Sequence, residues 1–232
     1  MNKVNSSLYI VSTPIGNLDD ITLRALKVMR SVQVILVENI KHSKVLLNHY
    51  KIKCELLSFN ENNSTKQIPK VIRMLIEGKN IAIISDAGTP AISDPGYKLV
   101  RASIHRNIKI IPVPGASAVM AGLVASGLPT DRFSFGGFLP PKKGRAKKIN
   151  NLSAENATLI FYESPRRLIR TLNDIYQNLG ERPCVVCREL TKIYEEIIRG
   201  SLSYVIDLLS DRNSIKGECV ILIGKNDKNV FF

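Results

Sequence analysis

Short apolar runs alternate with amphipathic stretches along the first half of the chain. Leu8–Ser12, Val34–Val37, Cys54–Phe59, Ile81–Ser85 and Lys109–Val113 are rich in β-branched residues and predict strands. Between them, Leu23, Leu26 and Met29 recur at helical spacing, with Asp19 and Asp20 as candidate N-caps. Lys44–Tyr50, Ile68–Ile76 and a stretch through Tyr97, Leu99, Val100 and Ile104 also read as helices. Strands separated by helices of this length predict βαβ units and a mostly parallel sheet. Pro112-Val113-Pro114-Gly115 then stops the strand and turns the chain, so residues 1–114 and 115–232 are expected as two α/β lobes.

The second lobe opens on a small-residue helix, Ala116–Ser126. Strands are expected near Phe133–Phe138, Thr158–Tyr162, Cys184–Glu189, Glu195–Arg199 and Cys219–Ile223. Helices are expected near Arg145–Leu152, Pro165–Asn178 and Tyr204–Leu209. Short connections between late strands predict antiparallel pairs, hence a mixed C-terminal sheet. A cleft between two lobes is a favoured ligand site.

Composition changes this picture in one respect. The 232 residues are 44% hydrophobic and 23% charged, an ordinary globular mix that excludes fibrous and wholly disordered classes. The charge is not ordinary: 33 Lys and Arg against 20 Asp and Glu give +13. Such a balance suits a polyanionic partner. Five of the cations, Lys142, Lys143, Arg145, Lys147 and Lys148, fall within seven residues. Aromatic residues are 6% and Trp is absent, which argues against broad base-stacking platforms. No uncharged apolar run approaches the ~18 residues that span a bilayer, and no signal-peptide core is visible, so a cytoplasmic location is expected.

Common catalytic signatures are missing: no G-x-G-x-x-G, G-x-x-x-x-G-K-[ST], H-E-x-x-H or G-x-S-x-G occurs. Cys184 and Cys187 form a C-x-x-C pair, but inside a strand positions three apart face opposite sides. No metal is expected. Candidate chemistry lies instead in loops after strands. Ser85-Asp86-Ala87-Gly88-Thr89-Pro90, continuing through Ile92 to Gly96, sits where open α/β sheets bind ligands. Asp94 is assigned mainly to capping the next helix, with Pro95 at its first position. Asp86 has no such duty and is a candidate ligand residue. Pro14-Ile15-Gly16-Asn17 and Pro114-Gly115-Ala116-Ser117-Ala118 are similar small-residue loops. Glu163-Ser164-Pro165-Arg166-Arg167 and Arg188-Glu189-Leu190-Thr191-Lys192 end strands of the second lobe, with Ser164 read as a helix cap.

Six ordered segments carry a resemblance: LYIVSTPIGNLDDITLRAL, ISDAGTPAISDPGYKLV, VPGASAV, SGLPTDRFSFGGFLPPKKG, LIFYESPRRL and RELTKIYEEIIRG. Over residues 8–224 the chain resembles the ribosomal RNA small subunit methyltransferase I family, of the tetrapyrrole-methylase fold superfamily. The resemblance implies two α/β lobes, a homodimer, and S-adenosylmethionine bound between the lobes. It implies 2′-O-methylation of a cytidine ribose in the decoding centre of 16S rRNA, within the small ribosomal subunit. The cofactor has no phosphates and needs apolar walls and oxygen acceptors. Pro14, Gly16, Ser85, Asp86, Ala87, Gly88, Thr89, Ile92, Pro114, Ser117 and Ala118 would supply them, with Phe161 and Tyr162 from the second lobe.

Glu189 or Glu163 is expected as proton acceptor or water-orienting group, with Lys192 beside it. Lys41, Lys142, Lys143, Arg145, Lys147, Lys148, Arg166 and Arg167 are expected to hold RNA. One segment departs from the family pattern, an acidic residue followed by Asp-Thr-Arg. Here it is Glu38-Asn39-Ile40-Lys41, so a carboxylate is lost and an arginine becomes a lysine. Two alternatives remain open: a tetrapyrrole methylase, and a non-catalytic RNA binder in ribosome assembly.

Overall fold

The computed structural model describes residues 6–227, 229 and 230. The chain divides into two compact units, Met1–Ser117 and Ala118–Phe232. The first holds β1 (Ser7–Val11), α1 (Leu23–Ser31), β2 (Val34–Val37), α2 (Ile40–His49), β3 (Glu55–Ser58), α3 (Ser64–Ile76), β4 (Ile81–Ile84), α4 (Tyr97–Ile104) and β5 (Lys109–Val113). Its sheet has the order β3-β2-β4-β1-β5, and every pair is parallel. Such a sheet must be covered on both faces, so its central strands are apolar without alternation. β2 and β4, VILV and IAII, are buried at every position. Met29 and Leu47 of α1 and α2 pack with Val11, Ile35 and Ile84 on one face. Leu75 and Leu99 of α3 and α4 pack with Leu8, Leu36 and Ile83 on the other.

The second unit holds α5 (Ala118–Ser126), β6 (Phe133–Phe138), α6 (Arg145–Asn150), β7 (Thr158–Glu163), α7 (Leu168–Leu179), β8 (Pro183–Arg188), β9 (Glu196–Ser201), α8 (Leu202–Ser210) and β10 (Cys219–Ile223). The sheet order is β6-β7-β10-β8-β9; β6 pairs parallel with β7 and the rest are antiparallel. Ile149, Leu172 and Val205 from α6, α7 and α8 cover one face. On the other, Gly122 of α5 approaches Val220, Leu222 and the Cys187 sulfur. Cys184 belongs to the first of these layers, so the two thiols do face opposite sides. Burial pushes both upward, Cys187 to about 12.

Several local expectations are corrected. Thr22, not Asp19 or Asp20, caps α1, accepting from the Ala25 amide at 3.0 Å. Asn39 caps α2, accepting from the amides of Lys41 and His42, so this helix starts four residues earlier than expected. Asn and Asp cap about equally well, so the lost carboxylate at position 39 costs the helix little. Ser164 does not cap α7; Arg167 occupies that position.

Asp94 does not cap α4 either. Gly96 does, with φ 149°, a conformation open to glycine. Released from capping, Asp94 sits half-buried beside Ser85, Glu38 and Asp86. Burial first, then the Glu38 and Asp86 charges, raise its carboxyl to about 6.

Two stability predictions follow from these placements. Asp94 binds its proton more tightly folded than unfolded. Its contribution is therefore fully present below pH ~4 and lost as pH rises toward 6. Asp94→Asn should gain about 1–2 kcal/mol of unfolding free energy at pH 7.5, after discounting for solvent screening, and nothing at pH 3.5. Urea titrations at the two pH values check this, and an equal gain at both would contradict the assignment. Glu163, 2% exposed, accepts from Thr171 Oγ1 at 2.7 Å and pairs with Arg167 at 3.2 Å and Arg145 at 3.9 Å. Glu163→Ala should cost about 3 kcal/mol or more, because Arg145 is itself 4% exposed and loses a counter-charge.

Candidate functional site

Three loops meet at the carboxyl ends of β1, β4 and β5. The Thr13 amide donates to Gly88 O at 2.9 Å, and the Gly88 amide returns a bond to Thr13 O at 3.1 Å. Thr13 Oγ1 donates to Ser85 O at 3.1 Å. Thr89 Oγ1 donates to Ala116 O at 3.3 Å, which leaves Ser12 Oγ to donate to Thr89 at 3.0 Å. The backbones are close: a Cβ on Gly115 would stand 2.9 Å from Ser12 Cβ, and Gly88 has φ +80° against Ile15. Pro14, Ser85 and Gly88 are buried in this knot. Gly16, Ala87, Ile92 and Pro114 are exposed, and Thr89, Ser117 and Ala118 are half-buried. Hydroxyls, carbonyls and small apolar surfaces line it. Such a donor-and-acceptor set fits S-adenosylmethionine, whose sulfonium and adenosyl groups need oxygens and apolar walls rather than a phosphate cradle.

Asp86 faces a different neighbourhood. An open cavity of about 550 Å3 lies at the carboxyl ends of β2, β3 and β4. Glu38, Asn39, Ile40 and Lys41, then Ser58, Asn60, Glu61 and Asn62, and finally Asp86 line it. Burial, followed by the charges of Asp86 and Glu61, raises the Glu38 carboxyl. Asp86 Oδ1 is buried without a hydrogen-bond partner among the described residues. The β3 contribution is absent from the expected site residues. Its available signal is the Asn-rich run after the strand, since Asn tolerates tight turns and carries both donors and acceptors.

In the second unit Glu163 is committed to structure. Besides Thr171 and the two arginines it accepts from the Ser164 amide at 2.8 Å. A carboxylate so engaged is no free proton acceptor. Phe161 is 1% exposed and belongs to the core; its ring lies where a Cβ on Gly136 would stand, 2.6 Å from Cε1. It is removed from the cofactor residues. Tyr162 lies on the opposite face, edge-on to Phe135 at 4.9 Å. Glu189, at φ 52°, accepts from Lys192 Nζ at 2.8 Å and from the Glu218 amide at 2.9 Å. The Lys192 hydrogen bond, chiefly, holds its carboxyl below the usual range.

The cationic segment divides. Lys142, Lys143 and Lys147 are exposed. Lys148 is half-buried and donates to Gly136 O at 2.9 Å. Arg145 is buried, bonded to Asp174, Thr171 and Pro140 O, and is removed from the RNA-facing set. Arg166 is exposed, whereas Arg167 spends its guanidinium on Glu163 and Leu139 O. Lys41 is exposed at the cavity. Among the described residues no His, Cys, Asp and Glu group is arranged to hold a metal ion, and no helix is long and apolar enough to cross a membrane.

A family model described as Tetrapyrrole (Corrin/Porphyrin) Methylases matches residues 7–205. Ribosomal RNA small subunit methyltransferase I of Halalkalibacterium halodurans is 48% identical over 224 residues, covering 96% of this chain and 77% of that protein. The protein of the same name from Thermotoga maritima is 47% identical over 218 residues, covering 94% of this chain and 98% of its own. Among solved structures, a cobalamin biosynthetic enzyme, cobalt precorrin-4 methyltransferase, superposes with a TM-score of 0.69, at 21% identity and 94% coverage of both chains. That last likeness concerns the fold alone, whereas the sequence identities reach further. The chain belongs to the tetrapyrrole methylase family and, within it, to the ribosomal RNA small subunit methyltransferase I group.

Proposed function

We propose that the protein transfers a methyl group from S-adenosylmethionine to the ribose 2′-oxygen of a cytidine in the decoding centre of 16S rRNA. The observation that carries this reading is the neutral, oxygen-lined knot of the β1, β4 and β5 loops, in a chain nearly half identical to rRNA methyltransferases. S-adenosylmethionine, when bound, supplies an electrophilic methyl group on a sulfonium. The chain's own task is alignment. A 2′-hydroxyl is a weak nucleophile, and holding oxygen and methyl in line supplies much of the acceleration. Ser12, Thr13, Ser85 and Thr89 fix the loop backbones through hydroxyl hydrogen bonds, which presents their remaining polar groups in one rigid arrangement.

Glu189 is held as a carboxylate, so at neutral pH it accepts hydrogen bonds readily and takes up protons poorly. It orients the 2′-hydroxyl or a water in this reading, with Lys192 fixing its rotamer. Lys142, Lys143, Lys147 and Arg166 meet phosphates.

Tritium transfer from labelled S-adenosylmethionine to small subunits from cells lacking the modification tests the reading. Label should appear in 16S rRNA, at one cytidine, in an alkali-resistant dinucleotide. Label in a tetrapyrrole or in protein, with none in RNA, would sink it. A second expectation concerns charge. Replacing Lys142, Lys143 and Lys147 together by Ala should weaken RNA binding about tenfold near physiological salt. The slope of log K against log salt should flatten by about 2. Calorimetric affinity for S-adenosylmethionine should stay within about twofold; an equal fall in both affinities would misplace these lysines.

A further inference from the structure

The cavity at the ends of β2, β3 and β4 has a composition unlike the rest of this basic chain. Three carboxylates, Glu38, Glu61 and Asp86, face one ammonium, Lys41, with three Asn and one Ser among them. Its volume, about 550 Å3, lies within the range of small-molecule sites. The three carboxylates disfavour a ligand that brings several carboxylates of its own, such as a tetrapyrrole, and Lys41 alone offers an anion a partner. The wall instead asks for hydrogen-bond donors. Asp86 Oδ1 is buried without a partner among the described residues, a costly state that a donor would relieve. The carboxylates are not arranged to hold a metal ion.

The position is as informative as the composition. β4 lies between β2 and β1 in the sheet. The loop after β4 therefore serves two neighbourhoods. Gly88 and Thr89 join the β1 and β5 loops, and Asp86, two residues earlier, lines the cavity with the β2 and β3 loops. A nucleoside in the cavity would stand next to the loop knot.

We propose that this cavity receives the target nucleotide, its amino-bearing base edge read by Glu38 and Asp86 and its flanking phosphate met by Lys41. The inference rests on the methyltransferase reading above and adds to it the residues that choose the base. Carboxylates accept from the exocyclic amine of cytosine. Uracil presents a carbonyl there, and two carboxylates reject it. The Ser58 hydroxyl, which accepts from Asn60 and Asn63, keeps its proton to donate, and Asn62 offers a further neutral partner for ribose or base. The departure at Lys41 fits as well: a lysine meets a phosphate as a point charge, without the two-pronged geometry of arginine.

The test uses the full chain and single-turnover methyl transfer to unmodified small subunits at varied subunit concentration. Glu38→Gln and Asp86→Asn should each raise the half-saturating concentration about tenfold. Glu61→Gln, exposed at the rim, should raise it less. Affinity of Glu38→Gln for S-adenosylmethionine should stay within about twofold of wild type. Subunits carrying uridine at the target should be poor substrates for wild type. Glu38→Gln should narrow that gap, because its amide donates to the uracil carbonyl. Melting curves identify any variant that fails to fold, and if Asp86→Asn does, Glu38→Gln and Glu61→Gln carry the test. Variants that saturate and discriminate like wild type overturn the pocket while the methyltransferase reading stands. A parallel loss of cofactor affinity in Glu38→Gln also overturns it. A wild-type protein that labels no RNA overturns the earlier reading, and this one with it.

Discussion

The two backbone hydrogen bonds between Thr13 and Gly88 fix the loop geometry on which the proposed methyl transfer depends. β1 and β4 run parallel, and parallel strands normally part at their carboxyl ends as each chain turns toward its helix. Here the backbones stay joined beyond the strands by an isolated antiparallel bridge. That bridge forces the next residues into close quarters. Gly88 must take φ +80°, and Ala91 and Ser93 follow at φ 68° and 62°, values that non-glycine residues adopt only when their surroundings hold them. The strain is local, and the hydroxyl bonds of Ser12, Thr13, Ser85 and Thr89 oppose it. A loop fixed in this way presents one arrangement of carbonyls and amides, which is what an aligned displacement needs.

Glu163 plays a comparable role in the second unit. Its carboxylate gathers β7, α6 and α7 through Arg145, Arg167 and Thr171. Desolvating such a group is expensive, and only its full set of partners makes the site tolerable. Its neighbours are spent as well. Arg145 cannot meet RNA while it satisfies Glu163, Asp174 and Pro140 O. Within the segment 142–148 the cations with free reach are thereby Lys142, Lys143 and Lys147, at the start of α6 and before it.

The strands were the legible part of the fold. Lys109–Val113, Phe133–Phe138 and Cys219–Ile223 run as expected, because a strand buried on both faces, or bounded by turn residues, leaves a plain apolar signature. Helix starts were less legible. Asp94-Pro95 and Ser164-Pro165 carry good starting chemistry, yet the chain needs two or three further loop residues before each helix, and Gly96 and Arg167 take the cap positions. Local propensity ranks candidate caps but does not say where tertiary packing lets the helix begin. Arg145 was misplaced for a different reason. Its sequence neighbours are solvated lysines, but Ile149 stands four residues on, and both lie on the inward side of α6. Spacing to an apolar residue was the better guide than charge. Phe161 erred the same way: strand alternation puts it with Leu159 in the core and Tyr162 on the other face.

The cavity was illegible for a topological reason. Glu38, Glu61 and Asp86 are each over twenty residues from the next, and although Glu38 and Asp86 lie in segments the sequence singles out, nothing in either segment points to the other or to Glu61. What brings them together is the strand order β3-β2-β4, which places the carboxyl ends of non-consecutive strands side by side. Crossover order is not written in periodicity, so an acidic pocket inside a +13 chain is invisible until the sheet is assembled. The contrast has a physical consequence. Diffuse positive charge attracts any polyanion without regard to sequence, and its strength falls with salt. A desolvated carboxylate discriminates at hydrogen-bond distance, where it accepts from a donor and repels another acceptor. In the proposed reading attraction and choice fall to opposite charges, and carboxylates that reject a wrong base do so without weakening the lysines proposed to collect the RNA.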